Sequence, residues 1–211
     1  MIAASFLVQV VVMGLFYSYG TLFAALKADT GDAAITLALV GSIRDFVFQL
    51  STAPAGFLVQ RVGFVRMAAI GTALLLFGML ADSFAPSIYF RFITCSLVGV
   101  AMAMIFTPAL TVLYGQGHIS PSFLPVAVGL ASSGGGLGTV VVNLGFNLLL
   151  DSFSWRGALR MCCGAFGLVL LVSIVALRRG LRHQHKKTGK PITGNQELCP
   201  RLLTAFRRLA V

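Results

Sequence analysis

Charge is what this sequence lacks. Only 10% of its 211 residues are Asp, Glu, Lys or Arg, and only six are acidic. A water-soluble domain of this length carries roughly a quarter charged residues, because its surface must be covered with groups that water solvates. A fold that faces water all round is therefore excluded. With a hydrophobic fraction of 57% and a mean hydropathy of +0.91, the natural solvent of the chain is lipid.

The residues that build active sites and metal centres are scarce as well. Cysteine occurs four times, as Cys95, Cys162, Cys163 and Cys199. The first three lie in apolar runs, and neighbours such as Cys162 and Cys163 point about 100° apart on a helix, which matches no metal-ligand spacing. They read as packing or lipid-facing residues. His118, His183 and His185 fall in loop or tail, and there is no GxSxG, HExxH or phosphate loop. The run Gly134-Gly-Gly-Leu-Gly138 lies in an apolar stretch and follows no strand, so it does not read as a dinucleotide turn. No catalytic residue, metal or cofactor is expected, and the chain does not read as an enzyme. The stretch from Met1 to Leu26 also lacks the positive start and small-residue cleavage site of a signal peptide, and reads as a spanning helix.

What the sequence does contain is six apolar segments of the length needed to cross the hydrocarbon, about 20 residues each. They are placed near 2–26, 34–59, 65–82, 87–113, 123–150 and 156–178. Turn chemistry separates them: Lys27–Asp32, Gln60–Gly63, Asp82–Pro86, Gly115–Pro121 and Asp151–Ser154. Short connections make sequential helices antiparallel neighbours, which predicts an all-α bundle over 1–180 and a basic, poorly ordered tail over 181–211.

The net charge of +10 is a topology signal, with no interleaving of basic and aromatic residues of the kind that binds nucleic acid. Arg61 and Arg66 occupy one short connection and nine further Lys and Arg lie between Arg178 and Arg208. The excess of Lys and Arg in cytoplasmic loops then predicts both termini in the cytoplasm, with Asp29, Asp32, Asp82 and Asp151 outside. The connection over 115–121 supports this weakly, since it holds only His118. The basic tail reads either as a solvated stop to translocation or as a patch for anionic lipid. Residues 198–211 fit a short basic amphipathic helix on the membrane surface.

Polar residues inside the apolar segments are the candidates for function. Arg44 and Asp45 lie about ten residues into the second segment, where a charge must face the bundle interior or a water path. Being about 100° apart on a helix, they need not pair with each other; a late helix start would instead put them at the interface. Tyr17, Tyr19, Gln49, Asn143 and Asn147 are further candidates for lining a cavity, and the two asparagines, one turn apart, share a face. Arg91, near the start of the fourth segment, reads as snorkelling outward. In the fifth segment Gly129, Gly134, Gly135, Gly136 and Gly138 read as close helix contacts, either static or sliding.

The order of local patterns resembles the monocarboxylate transporter family of the major facilitator superfamily. Gly14-Leu-Phe-Tyr-Ser-Tyr-Gly20, Gly56-Phe-Leu-Val-Gln-Arg-Val-Gly63, Phe106-Thr-Pro-Ala109, Ala127-Val-Gly-Leu-Ala-Ser-Ser-Gly134 and Phe153-Ser-Trp-Arg-Gly157 occur in the sequence of that family's amino-terminal half. The resemblance covers about residues 1–180. It implies one six-helix half of a twelve-helix carrier, a cavity lined by helices 1, 2, 4 and 5, and a small organic anion such as a monocarboxylate as substrate. Proton symport and a plasma-membrane location are further implications. Departures are the chain's start within the first helix, an uncharged connection before the fifth helix, and no Lys between Met1 and Leu26. The family's proton-coupling pair belongs to the carboxy-terminal half. Expected partners are therefore the substrate, a proton, membrane lipid and a second wall supplied by a missing half or by a homodimer partner; the rival expectation is a truncated, transport-inactive half-carrier or a membrane adaptor subunit.

Overall fold

A computed structural model describes residues 2–114 and 122–188. The connection 115–121 with His118, the amphipathic helix expected over 198–211, and Cys199 lie outside the described residues. Every regular element described is a helix: α1 (Ile2–Tyr17), α2 (Tyr19–Thr30), α3 (Ala34–Val62), α4 (Phe64–Ser83), α5 (Ile88–Tyr114), α6 (Leu124–Ser152) and α7 (Trp155–Thr188). Taken with α1 and α2 as one crossing, six are long and apolar enough to span a membrane. In lipid the backbone must satisfy its own hydrogen bonds, which leaves helices as the form such runs adopt.

Two boundaries differ from the sequence expectation. The first crossing, expected to be continuous, breaks at Ser18 between α1 and α2. The Ser18 hydroxyl donates to the Gly14 carbonyl at 2.6 Å, a back-bond that bends helices. At the other end of the chain α7 does not stop near residue 178 but runs to Thr188. Where the chain turns sharply, glycine supplies the backbone angle: Gly31 (φ 67°) closes α2 and Gly63 (φ 91°) separates α3 from α4.

α1 lies along α6, α5 packs between α3 and α4, and α7 rests on α4 and α1. Two apolar clusters fill the bundle. One runs through Val12, Leu75, Met102, Phe146 and Leu170; the other gathers Phe64, Met67, Leu113 and Leu177 at the end that carries Arg61 and Arg66. At the opposite end the Ser83 hydroxyl donates to the Arg156 carbonyl at 3.1 Å, joining the end of α4 to the start of α7.

The glycines of α6 divide into two sets. A Cβ at Gly134 would stand 2.5 Å from the Phe6 carbonyl oxygen, one at Gly138 would overlap the Val10 carbonyl, and one at Gly135 would crowd Met13 at 3.1 Å. This four-residue spacing of small residues lets the α1 and α6 backbones touch, as close packing in lipid requires. Gly129 and Gly136, expected to pack as well, do not: nothing among the described residues lies within 4 Å of a Cβ at either, and both are exposed. They sit on the opposite side of α6, because five residues separate Gly129 from Gly134 and two separate Gly136 from Gly138, both near a half-turn.

Candidate functional site

The break in the first crossing is where the charged pair of α3 arrives. Arg44 lies ten residues after Ala34, roughly 15 Å along the helix axis and so half the thickness of the hydrocarbon. Its level is shared by Gly99 of α5, where an added Cβ would lie 2.6 Å from the Arg44 carbonyl oxygen. The Arg44 side chain is buried, 4% exposed. Its Nη2 donates to the Phe16 carbonyl at 2.9 Å and its Nη1 reaches the Leu15 carbonyl at 3.5 Å. Carbonyls at a helix end lack intrahelical donors, so the guanidinium caps α1 from a neighbouring helix.

Arg44 and Asp45, which their angular separation on the helix did not oblige to pair, also bond each other. Nε and Nη2 of Arg44 both donate to Asp45 Oδ1, at 2.9 and 2.8 Å. The long arginine stem folds back along α3, so the angle between the two Cα–Cβ bonds does not decide the contact. Asp45 keeps 34% of its side chain exposed. The guanidinium further stacks over Tyr19, 4.8 Å from the ring centroid, an arrangement that arginine's planar cation favours. Tyr19 in turn donates its hydroxyl to the Leu37 carbonyl at 2.7 Å.

On its other side α2 holds α6. Thr21 Oγ1 donates to Asn143 Oδ1 at 2.8 Å, and Asn143 Nδ2 donates to the Thr139 carbonyl at 2.9 Å. The structure thus gathers Tyr19, Arg44 and Asp45 at the break and ties Asn143 to the same short helix. Tyr17, Gln49 and Asn147 are not drawn in; all three are exposed. Their positions nevertheless form a pattern. On α3, Ser42, Asp45, Gln49 and Thr52 fall on one flank, and on α6, Gly129, Ser132, Gly136, Asn143 and Asn147 do the same. Each flank adjoins a face of exposed apolar residues, Phe46 and Leu50 on α3 and Leu144 and Leu148 on α6.

The profile of the Major Facilitator Superfamily matches residues 5–210. The chain belongs to that superfamily. Among curated relatives, this facilitator chain is 29% identical to human monocarboxylate transporter 11 over 183 residues, covering 81% of the chain and 38% of that protein. It is 34% identical to human monocarboxylate transporter 12 over 155 residues, 71% of the chain and 28% of the relative. Against monocarboxylate transporter 12-B of Danio rerio the identity is 35% over 128 residues, 60% of the chain and 26% of the relative. The chain therefore spans less than two fifths of the length of these relatives, and the resemblance read from local patterns is met by whole-segment similarity.

A second polar cluster of the facilitator bundle escaped the sequence reading. Arg91, expected to snorkel outward, is 5% exposed and lies over the Trp155 ring at 4.2 Å. Trp155 Nε1 donates to Asp29 Oδ2 at 2.6 Å, and Arg156 lies 4.9 Å from the same ring. Asp82 is buried beside them and accepts from Thr94 Oγ1 at 2.9 Å. Arg91 Nη2 is buried and has no hydrogen-bond partner among the described residues. The ends of α2 and α4 and the starts of α5 and α7 meet here, and only their assembly reveals it. The available signal was that Trp155 is the single tryptophan at the start of a span. Among the described residues no group of three His, Cys, Asp or Glu could hold a metal ion.

Proposed function

We propose that the chain is one six-helix wall of a secondary carrier of the monocarboxylate-transporter type, moving small organic anions across a membrane by alternating access. The observation that supports this reading best is the pair of polar flanks on α3 and α6 beside the broken first crossing. Polar side chains turned to hydrocarbon are costly, so such flanks border water or protein. Broken helices and glycine-rich segments are where carriers of this architecture place their sites. In this reading Tyr17, Tyr19, Asp45, Gln49, Asn143 and Asn147 line the path, and Arg44 holds the break that shapes it. Proton coupling, a plasma-membrane location and cytoplasmic termini accompany the reading as what its relatives' class implies.

The flanks also favour a second reading of the chain by itself. Both are open, so the polypeptide alone is a transport-inactive half or a membrane subunit that assembles on a partner, until a carboxy-terminal half or a second copy closes the cleft. Reconstitution of purified chain into liposomes with labelled lactate, pyruvate and a broader organic-anion panel, beside cross-linking to count subunits, separates the cases. The single-wall reading expects no saturable uptake by a monomer and saturable uptake where a second wall is present. Saturable uptake by a cross-link-proven monomer overturns it.

A further inference from the structure

We infer that α7 carries a binding site for an anionic phospholipid on the side turned away from the bundle. α7 has 34 residues, roughly 51 Å at 1.5 Å per residue, against about 30 Å of hydrocarbon. Measured from Trp155, Arg178 stands roughly 35 Å along the axis, at headgroup level, and the helix continues for ten residues beyond it.

The register of this helix separates two sides. Leu170 and Leu177 are buried in the bundle, and Leu181 packs against the cluster that contains Phe64. At about 100° per residue, Arg178 and Arg179 fall on the side of the helix turned away from those leucines. Arg178 and Arg179 are exposed. Below them, on the same side, Leu171, Val172, Val175 and Ala176 form an exposed apolar strip that ends at Arg179. An apolar strip capped by guanidinium groups fits an acyl chain joined to an anionic headgroup.

Charge complementarity favours that ligand over a protein or a soluble metabolite. Arg61 and Arg66 lie exposed at the same end of the bundle. Among the described residues no Asp or Glu accompanies them there: Asp29, Asp32, Asp82 and Asp151 lie at the opposite end, and Asp45 is at mid-membrane. Guanidinium groups without carboxylate neighbours hold phosphate and carboxylate oxygens, and juxtamembrane basic residues each contribute about 1 kcal/mol toward anionic lipid, close to fivefold in affinity. The site is independent of any solute carried.

The test is native mass spectrometry of the full chain released from micelles containing equal amounts of phosphatidylserine and phosphatidylcholine. The parent is expected to retain phosphatidylserine preferentially, and Arg178→Gln/Arg179→Gln to lower that preference about thirtyfold, at fivefold per charge. Lys27→Gln/Arg156→Gln, which removes two charges at the opposite end, is expected to leave it unchanged. Equal retention by the α7 variant and the parent, or equal loss in the control, overturns the site. Displacement of the lipid by millimolar inorganic phosphate also overturns it, since the ligand would then be a soluble anion. Should the variant not fold, the parent in 0.5 M sodium chloride decides the matter: screening at that salt must reduce the preference several-fold, and an unchanged ratio refutes it.

Discussion

Two arginines buried to the same degree stand in opposite situations. Arg44 offers its donors to Asp45, Phe16 and Leu15, while Arg91 rests on Trp155 and its Nη2 has no partner among the described residues. Removing one member of a bonded buried set leaves the others with their desolvation cost. Arg44→Met is therefore expected to destabilise the chain by about 2–4 kcal/mol, because two carbonyls at the helix break and the Asp45 carboxylate lose their donor. Arg91→Met removes an unsatisfied donor and a stacking contact of about 1–2 kcal/mol and takes the cation from beside buried Asp82, whose carboxylate keeps the Thr94 hydroxyl as donor, so it is expected to cost less than Arg44→Met. Unfolding midpoints in detergent micelles check both, with exposed Arg178→Met as reference. Equal losses at positions 44 and 91 would show that Arg91 is bonded by a group the protein structure does not contain. Asp45 was legible in the sequence as a charge at depth, but its partner was not: the pairing depends on how the Arg44 stem folds, and the guanidinium is held where the Phe16 carbonyl and the Tyr19 ring of the first crossing meet it.

The seam between α1 and α6 depends on backbone touching backbone. At Gly138 a methyl group would collide with the Val10 carbonyl, and a rigid main chain cannot move aside cheaply. Overpacking of this kind costs about 1–3 kcal/mol. Gly136, two positions away, faces open space, and Ala there gains helix propensity worth about 0.5–1 kcal/mol. Gly138→Ala is expected to lower the unfolding temperature and Gly136→Ala to keep or raise it; the same measurement on Gly129→Ala should follow Gly136. A fall at Gly136 equal to that at Gly138 would mean that another helix covers the outer flank of α6. The density of glycine in this segment was plain from the sequence. Which glycines touch α1 was not, because the direction of the seam is set by where α1 lies.

For the whole molecule the ends are chemically unlike. Arg61, Arg66, Arg178 and Arg179 are exposed at one, and Asp29, Asp32 and Asp151 belong to the other. Reporter tags at Gly63 and after Thr188 are expected on one side of the membrane and a tag at Asp151 on the opposite side. Opposite locations for the first two tags would refute the six-crossing topology. The same assembly leaves the polar flanks of α3 and α6 open, and cysteine placed at Ser42, Gln49 or Asn147 is expected to react with a membrane-impermeant maleimide once a second wall encloses water. Lack of labelling in a transport-active assembly would place those flanks against lipid or protein and remove them from the path.

The number of crossings, their approximate limits and the basic end were determined by the sequence alone, because burial in hydrocarbon is a property of composition over some twenty consecutive residues. Gly31 and Gly63 marked their turns for the same local reason, the freedom of glycine at positive φ. The break at Ser18 was harder to read, since Tyr17-Ser-Tyr19 is compatible with a continuous helix until a buried guanidinium arrives to cap it. Only the tertiary structure decided that Arg44 serves α1, that Arg91 turns inward onto Trp155, and that half of the α6 glycines face outward. Each of these contacts joins residues on different helices, and what brings them together is the packing of those helices, a quantity no single stretch of sequence contains.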